Sequence, residues 1–280
     1  MAFEWDNLHE RTWLRWYRGR EDRIETKRRV AGGALHVDAA VRGPIDGPPG
    51  LDFVPAGLSA IENRAPGSAV GASDIFGLAG RLCLLLQREH EESRPLDPRL
   101  AAAVLLAGRG TQDLLEQIRF ETVRAGVRRT LDLSPPVYLV AADELDREVK
   151  NAFLILYHGS DEAVDALVQD VHPDLYKDIL ERALVIRRVR LRQALEKRGI
   201  DMSEVKLDIR GAILDIGLRK VIEGVGVKEV IEEIGLKQVI EEVGLQQVIE
   251  EVGLQRVIQE IGADRLRSEL EKYERKSNGE

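Results

Sequence analysis

The chain has 280 residues, of which 44% are hydrophobic and 32% are charged, and its formal net charge is -8. This length and hydrophobic share allow one large or two small globular domains. The negative charge argues against attraction of nucleic acid by the whole surface, because phosphate binding needs clustered positive charge, although local basic patches remain possible. The single cysteine, Cys83, excludes an intramolecular disulfide and a thiolate cluster for zinc or iron-sulfur.

The N-terminal sequence and the length of the apolar segments indicate in which cellular compartment the protein is expected. The N-terminus lacks the basic-then-apolar pattern of a signal peptide, and no window approaches the roughly 18 to 20 apolar residues of a membrane span. We therefore expect a cytoplasmic protein that does not enter a membrane.

The first 68 residues divide into two stretches. Residues 1–30 hold all three tryptophans beside many basic side chains, and their spacing predicts a helix. Such a helix either braces the core with its aromatic rings or stacks them on nucleic-acid bases. In residues 30–68, glycine and proline separate short apolar runs, and this predicts strands near residues 34–41, 51–54 and 58–62.

Apolar strands then alternate with helices. The pattern predicts a helix from Ser73, a strand over 100–107 and a second helix from Thr111 to about residue 125. Two more strands are expected over 127–133 and 136–141. Beyond Asp143 the pattern is helical: residues 152–157 suit a buried helix better than a last strand, Ser160 and Pro173 each begin a helix, and residues 182–198 form another.

These elements predict an α/β domain with a mixed sheet flanked by helices over residues 1–145. A helical connector would follow over 146–208, then an all-α repeat array over 209–266 and a polar tail over 267–280.

The array repeats every nine residues between Gly217 and Gly262, each unit approximating Leu-x-x-Val-Ile-Glu-Glu-Val-Gly. Apolar residues at positions 1, 4, 5 and 8 indicate a helix rather than a strand. Nine residues at about 100° each would turn the apolar face to the opposite side in every unit. Short helices that end at glycine are therefore favoured over one long helix with two apolar seams. We expect residues 218–262 to extend the core, to self-associate or to bind a protein partner.

Candidate chemistry lies in the strand region. Asp52 and the segment Glu62-Asn63-Arg64 stand on neighbouring predicted strands, and Asp38 is an alternative first carboxylate. The element order and these residues resemble the core of the PD-(D/E)XK nuclease superfamily, a restriction-endonuclease-like fold. The resemblance is to bacterial families of recombination-promoting nucleases and transposase-like proteins. It implies that Asp52 and Glu62 bind Mg²⁺, and that Arg64 contacts phosphate in the place of the family's lysine.

This replacement of lysine bears on catalysis. A guanidinium stays protonated and cannot act as a general base, so catalysis would be weakened or lost. A literal Glu-x-Lys at Glu25-Thr26-Lys27 falls in the basic segment, where we expect it to be a chance match.

Two function hypotheses follow from these patterns. The first is a metal-dependent DNA endonuclease, or a catalytically degenerate DNA-binding relative of one. The second is a non-enzymatic protein that assembles or docks a partner through residues 218–262. A second arginine cluster is expected either to bind nucleic acid or to pair with acidic residues of neighbouring helices; it consists of Arg187, Arg188, Arg190 and Arg192.

Overall fold

The structure is a computed structural model. It describes residues 13–31, 35–45, 49–92, 94 and 96–200, together with Ile213 and Val239. The predicted polar tail, and the repeat array apart from Ile213 and Val239, lie outside the described residues. So does the side chain of Arg188. Assembly through residues 218–262 therefore stays a prediction.

The strands of the described chain are β1 (Ile24–Ala31), β2 (Leu35–Arg42), β3 (Leu58–Asn63), β4 (Ala69–Val70), β5 (Ala102–Ala107), β6 (Arg109–Gly110), β7 (Phe120–Arg124), β8 (Val127–Thr130) and β9 (Val137–Ala141). Seven of them form one mixed sheet in the order β1-β2-β3-β5-β9-β8-β7. Strands β3, β5 and β9 run parallel to one another, and the other neighbouring strands pair antiparallel. A second, two-stranded sheet pairs β4 with β6.

Helices cover both faces of this sheet. They are α1 (Ala72–Glu91), α2 (Gln112–Gln117), α3 (Ala152–His158), α4 (Asp161–Asp170) and α5 (Lys177–Lys197), the last preceded by a 3-10 turn over Pro173–Tyr176. Two of the predicted helix starts are confirmed. The Thr111 and Ser160 side chains accept hydrogen bonds from Leu114 N and Ala163 N, which caps α2 and α4. No described helix has the length and apolar character to cross a membrane.

Each face of the sheet has its own hydrophobic cluster. On the first, the α1 face, helix α1 buries side chains at helical spacing, namely Ile75, Leu78, Leu82 and Leu85. Full burial of such a side chain contributes about 1.5–3 kcal/mol. The opposite face is covered by α3, α4, α5 and the N-terminal residues Trp13 and Tyr17. Strand β5 is buried along its whole length because both faces are covered. The division of the chain at residue 145 stays a prediction.

The structure differs from the predicted elements in three places. Residues 51–54 form turns instead of a strand, and helix in the described N-terminal stretch is limited to residues 13–16 and a 3-10 turn over Glu21–Arg23. Residues 24–31 form β1 because they pair with β2, an interaction that local spacing does not reveal. The second predicted helix ends at Gln117, since the chain then forms the β7–β8 hairpin. Gly126 turns this hairpin with φ +68, and an added Cβ would lie 2.7 Å from Leu145 N.

Candidate functional site

Two carboxylates meet where β2 lies beside β3. The antiparallel register pairs Ala39 with Ile61, and one step further along it Asp38 lies opposite Glu62. The Asp38 carboxylate accepts hydrogen bonds from Asn63 N at 2.7 Å and from Asn63 Nδ2 at 3.2 Å. Asp38 is therefore held at the end of β3 directly beside the predicted Glu-x-Arg segment.

Glu62 points to the α1 face of the sheet, because its neighbour Ile61 belongs to the opposite cluster. Its side chain is 14% exposed and forms two ion pairs. Arg81 Nη2, from α1, lies 3.2 Å from Glu62 Oε2, and Arg64 Nη1 lies 3.9 Å from Glu62 Oε1. Asp38 and Glu62 thus lie beside two guanidinium groups.

The environment raises the pKa of Glu62 to about 6. Burial is the largest cause, and the charge of Asp38 is the second; Arg81, Arg64 and His36 act in the opposite direction. Both main causes disfavour a second negative charge in this position. A carboxyl group whose pKa is raised by burial and by a like charge is typical of functional sites, although structural ion-pair networks also produce it.

Arg64 follows β3 and is fixed at three points. Its backbone N donates to Leu106 O at 2.8 Å, and its guanidinium pairs with Asp74 at 2.6 Å. Asp74 in turn accepts from Gly71 N at 2.9 Å, which ties it to the start of α1. The Arg64 carbonyl accepts from the ring of buried His158 at 3.1 Å, so helix α3 also holds this segment.

The structure does not bring Asp52 and Glu62 together. Asp52 is 77% exposed and pairs with Arg124 of β7 at 3.1 Å. Its loop packs against the opposite face, where Phe53 lies 5.3 Å from the Tyr138 ring. Asp52 and Glu62 therefore belong to opposite sides of the sheet. The predicted placement of Asp52 on a strand beside Glu62 is wrong, and Asp38 occupies that position.

The second arginine cluster makes contacts within the helical layer. Arg187 donates to Gly159 O at 2.8 Å and pairs with Asp161 at 2.5 Å. Arg190 pairs with Asp165, also at 2.5 Å. Arg192 is partly buried. Binding of nucleic acid by this cluster stays a prediction, while the expected pairing with neighbouring acidic residues is present for Arg187 and Arg190.

The chain matches no protein-family model, no curated protein and no solved structure.

The resemblance implies a bound Mg²⁺, and two observations bear on whether the site fits one. Among the described residues, no three His, Cys, Asp or Glu side chains cluster as a metal site. Mg²⁺ nevertheless binds proteins through one or two carboxylates and keeps several waters. Glu62 Oε2 is buried without a well-directed hydrogen bond in the described part of the chain, and Asp38 lies beside it. The pair fits a divalent cation of this kind.

Sequence reasoning missed Arg81 and Asp74 as members of the site. They are the only charged residues between Ala72 and Leu86, a segment otherwise rich in leucine, glycine and alanine. A charge within an apolar helical stretch was therefore the available signal. The sequence does not show which residue pairs with Arg81, because the pairing with Glu62 depends on how α1 packs on the sheet.

Proposed function

We propose that the α/β part of this chain is a PD-(D/E)XK-like, metal-dependent endonuclease domain that acts on DNA, with Asp38 and Glu62 as its metal-binding pair. The observation that carries the proposal is the juxtaposition of these two carboxylates on β2 and β3, with Glu62 partly buried and its pKa raised to about 6. A divalent cation would relieve the repulsion that raises this pKa.

The order of elements supports the proposal. The expected order was a strand, a strand with Asp52, a strand with Glu62, a helix from Ser73, a strand from Leu100 and a helix from Thr111. Strands β1, β2 and β3, helix α1, strand β5 and helix α2 occur in this order along the chain, with the short strands β4 and β6 before the two helices. The carboxylate on the second strand is Asp38 instead of Asp52.

Each residue of the site has a proposed role. Asp38 and Glu62 would hold the cation, which would supply Lewis-acid activation of water and of the scissile phosphate. Arg64 is about one-third exposed and would contact a phosphate oxygen, which offsets developing negative charge. Arg81 is more buried and keeps Glu62 in place.

The site has no lysine in the position of Arg64. An arginine stays protonated at neutral pH and cannot remove a proton from water. We therefore expect slow cleavage, and Arg64→Lys is expected to increase the rate.

A cleavage assay tests the proposal. Full-length protein is incubated with plasmid and linear DNA in Mg²⁺ or Mn²⁺, and the wild type is compared with Asp38→Asn and Glu62→Gln. Each substitution removes one charge with little change of shape. We expect each to lower the cleavage rate by at least about 100-fold, on the scale that loss of one electrostatic group at an active site produces.

Asp52→Asn is the matched control, because Asp52 is exposed and lies on the other side of the sheet. It is expected to cleave at the wild-type rate. Absence of cleavage by the wild type and by Arg64→Lys alike, or equal cleavage by all the variants, would show that Asp38 and Glu62 do not form a nuclease site.

A further inference from the structure

One residue of β1 has an unusual backbone conformation. Lys27 has φ +47, and among the residues that the structure describes it is the one residue other than glycine with a positive φ. A residue with a Cβ disfavours this left-handed region, so a lysine stays in it only where the surrounding structure enforces it. Residues of this kind concentrate at active sites and ligand contacts, so Lys27 is a candidate for a functional role.

Lys27 lies in one row with the proposed metal-binding pair. The residue pairs directly before and after it in the β1–β2 ladder keep a single register, and in this register Lys27 is opposite Asp38. Asp38 is in turn opposite Glu62 in the β2–β3 ladder. Opposite residues of antiparallel strands have Cβ atoms about 4.5–5.5 Å apart. The Lys27 ammonium group, on its four-carbon stem, can therefore reach a phosphate bound at Asp38.

The row lies on the face of the sheet that α1 covers. Glu25 pairs at 2.9 Å with Arg42, which pairs at 2.7 Å with Glu89 of α1. Lys27 follows Glu25 by two residues on β1, and Asp38 precedes Arg42 by four residues on β2. Side chains two or four residues apart on a strand share a face, so the row is on the same side of the sheet as these ion pairs.

Exposure increases along the row towards β1. Glu62 is 14% exposed beside Arg81 of α1, Asp38 is half-buried, and Lys27 is exposed. Strand β1 is at the edge of the sheet, so no further strand of the described chain covers Lys27 on its outer side. A DNA phosphate would approach the carboxylates from this open end, where the positive charge of Lys27 offsets their repulsion.

Edge strands carry lysine for another reason as well, because a charged side chain there prevents pairing with a second chain. That role needs neither a left-handed backbone nor a position opposite a carboxylate. The conformation and the position of Lys27 therefore favour a contact with a ligand, and an anion suits both its charge and its place beside the cation site.

We propose that Lys27 contacts a phosphate of DNA bound at the Asp38–Glu62 pair and holds it for cleavage. The inference rests on the proposed nuclease function and adds a residue to it. Arg64 would contact phosphate from the end of β3, and Lys27 from the edge strand on the other side of the carboxylates. Lys27 acts as a fixed positive charge, since an ammonium group binds phosphate without giving up a proton.

Binding of DNA without metal isolates this contact. A fluorescein-labelled DNA duplex is titrated with the full-length protein in EDTA, and Kd is measured by fluorescence anisotropy over a range of salt concentrations. Lys27→Asn removes the charge but suits a left-handed backbone, which asparagine adopts more readily than lysine, so the melting temperature should be unchanged or higher. We expect Kd to rise about tenfold and the slope of log Kd against log salt concentration to fall by about 0.9, the value for one phosphate contact.

Cleavage in Mg²⁺ or Mn²⁺ tests whether the contact lies at the reacting phosphate. Lys27→Asn is expected to lower the rate at least about tenfold, because a missing electrostatic contact at an active site costs that much or more. Lys27→Arg keeps the charge and is expected to retain most of the binding and of the rate. Lys197→Gln removes an exposed lysine of α5 and is the control of equal charge, which should bind and cleave as the wild type does.

Three results would overturn the inference. They are a wild-type Kd and salt slope in Lys27→Asn, equal losses in Lys27→Asn and Lys27→Arg, and weaker binding by Lys27→Asn with an unchanged cleavage rate. If Asp38→Asn loses cleavage while Lys27→Asn binds and cleaves as the wild type does, the nuclease proposal stands and the role of Lys27 is wrong. If the wild type binds DNA without cleaving it, the nuclease proposal is wrong and the binding data alone decide the phosphate contact.

Discussion

Buried His158 makes the stability of the protein depend on pH in a way that can be isolated. Its side chain is fully buried, and burial is the main reason that its pKa falls from 6.5 to about 4. The folded protein therefore resists protonation of a group that the unfolded chain protonates readily. The stability from neutral His158 is fully present above pH 6.5, is lost progressively as the pH falls, and is gone below about pH 4.

The size of this effect follows from the two pKa values. At about 1.4 kcal/mol for each pH unit between them, the full loss is about 3 kcal/mol. About 2 kcal/mol of it is lost between pH 7 and pH 5. Glu62 acts in the opposite direction, because its raised pKa lets the folded protein bind a proton below about pH 6. The His158 contribution therefore has to be measured as a difference between two proteins.

The substitution His158→Asn provides this difference. The asparagine amide can donate to the Arg64 carbonyl from nearly the position of Nδ1, but it does not titrate. The free energy of unfolding is measured by urea denaturation of both proteins at about pH 7 and about pH 5. We expect the wild type to lose about 2 kcal/mol relative to the variant between the two values. An unchanged difference would refute a buried, neutral His158.

Two further substitutions test the packing around the site and the helical layer. Glu89 is almost fully buried and accepts hydrogen bonds from Arg42 at 2.7 and 3.1 Å. Glu89→Ala leaves Arg42 with Glu25, which lies 2.9 Å away, and is expected to lower the free energy of unfolding by about 1–3 kcal/mol in a denaturant titration. A loss below about 1 kcal/mol would indicate that Arg42 reaches solvent instead. Arg187→Lys keeps the charge but loses the fork that reaches both Gly159 O and Asp161, and a cost of about 1–3 kcal/mol is expected in the same measurement. A wild-type stability would show that the lysine makes the same contacts.

The local sequence pattern was sufficient to predict strands that are buried on both faces and helices that bury one stripe of apolar side chains. Strand β5 is an unbroken apolar run, and α1 repeats leucine at helical spacing. Strand β1 could not be predicted in this way, because it is a charged segment that becomes a strand by pairing with β2.

The candidate site shows the same limit. Glu62 was found from its motif, whereas the choice between Asp38 and Asp52 depended on which side of the sheet the loop before β3 follows. That path is fixed by the burial of Leu51 and Val54 against the opposite face, and the spacing of carboxylates along the chain contains no information about it.

The hydrophobic cluster on the opposite face also has a practical consequence for studying this protein. Ala102, Val104 and Leu106 of β5 belong to one buried cluster with residues of α3, α4 and α5, all of which follow residue 145 in the chain. A fragment that stops there would present this apolar surface to water, and surfaces of that kind promote aggregation. We therefore expect protease-resistant pieces of the protein to extend at least through Lys197, the end of α5.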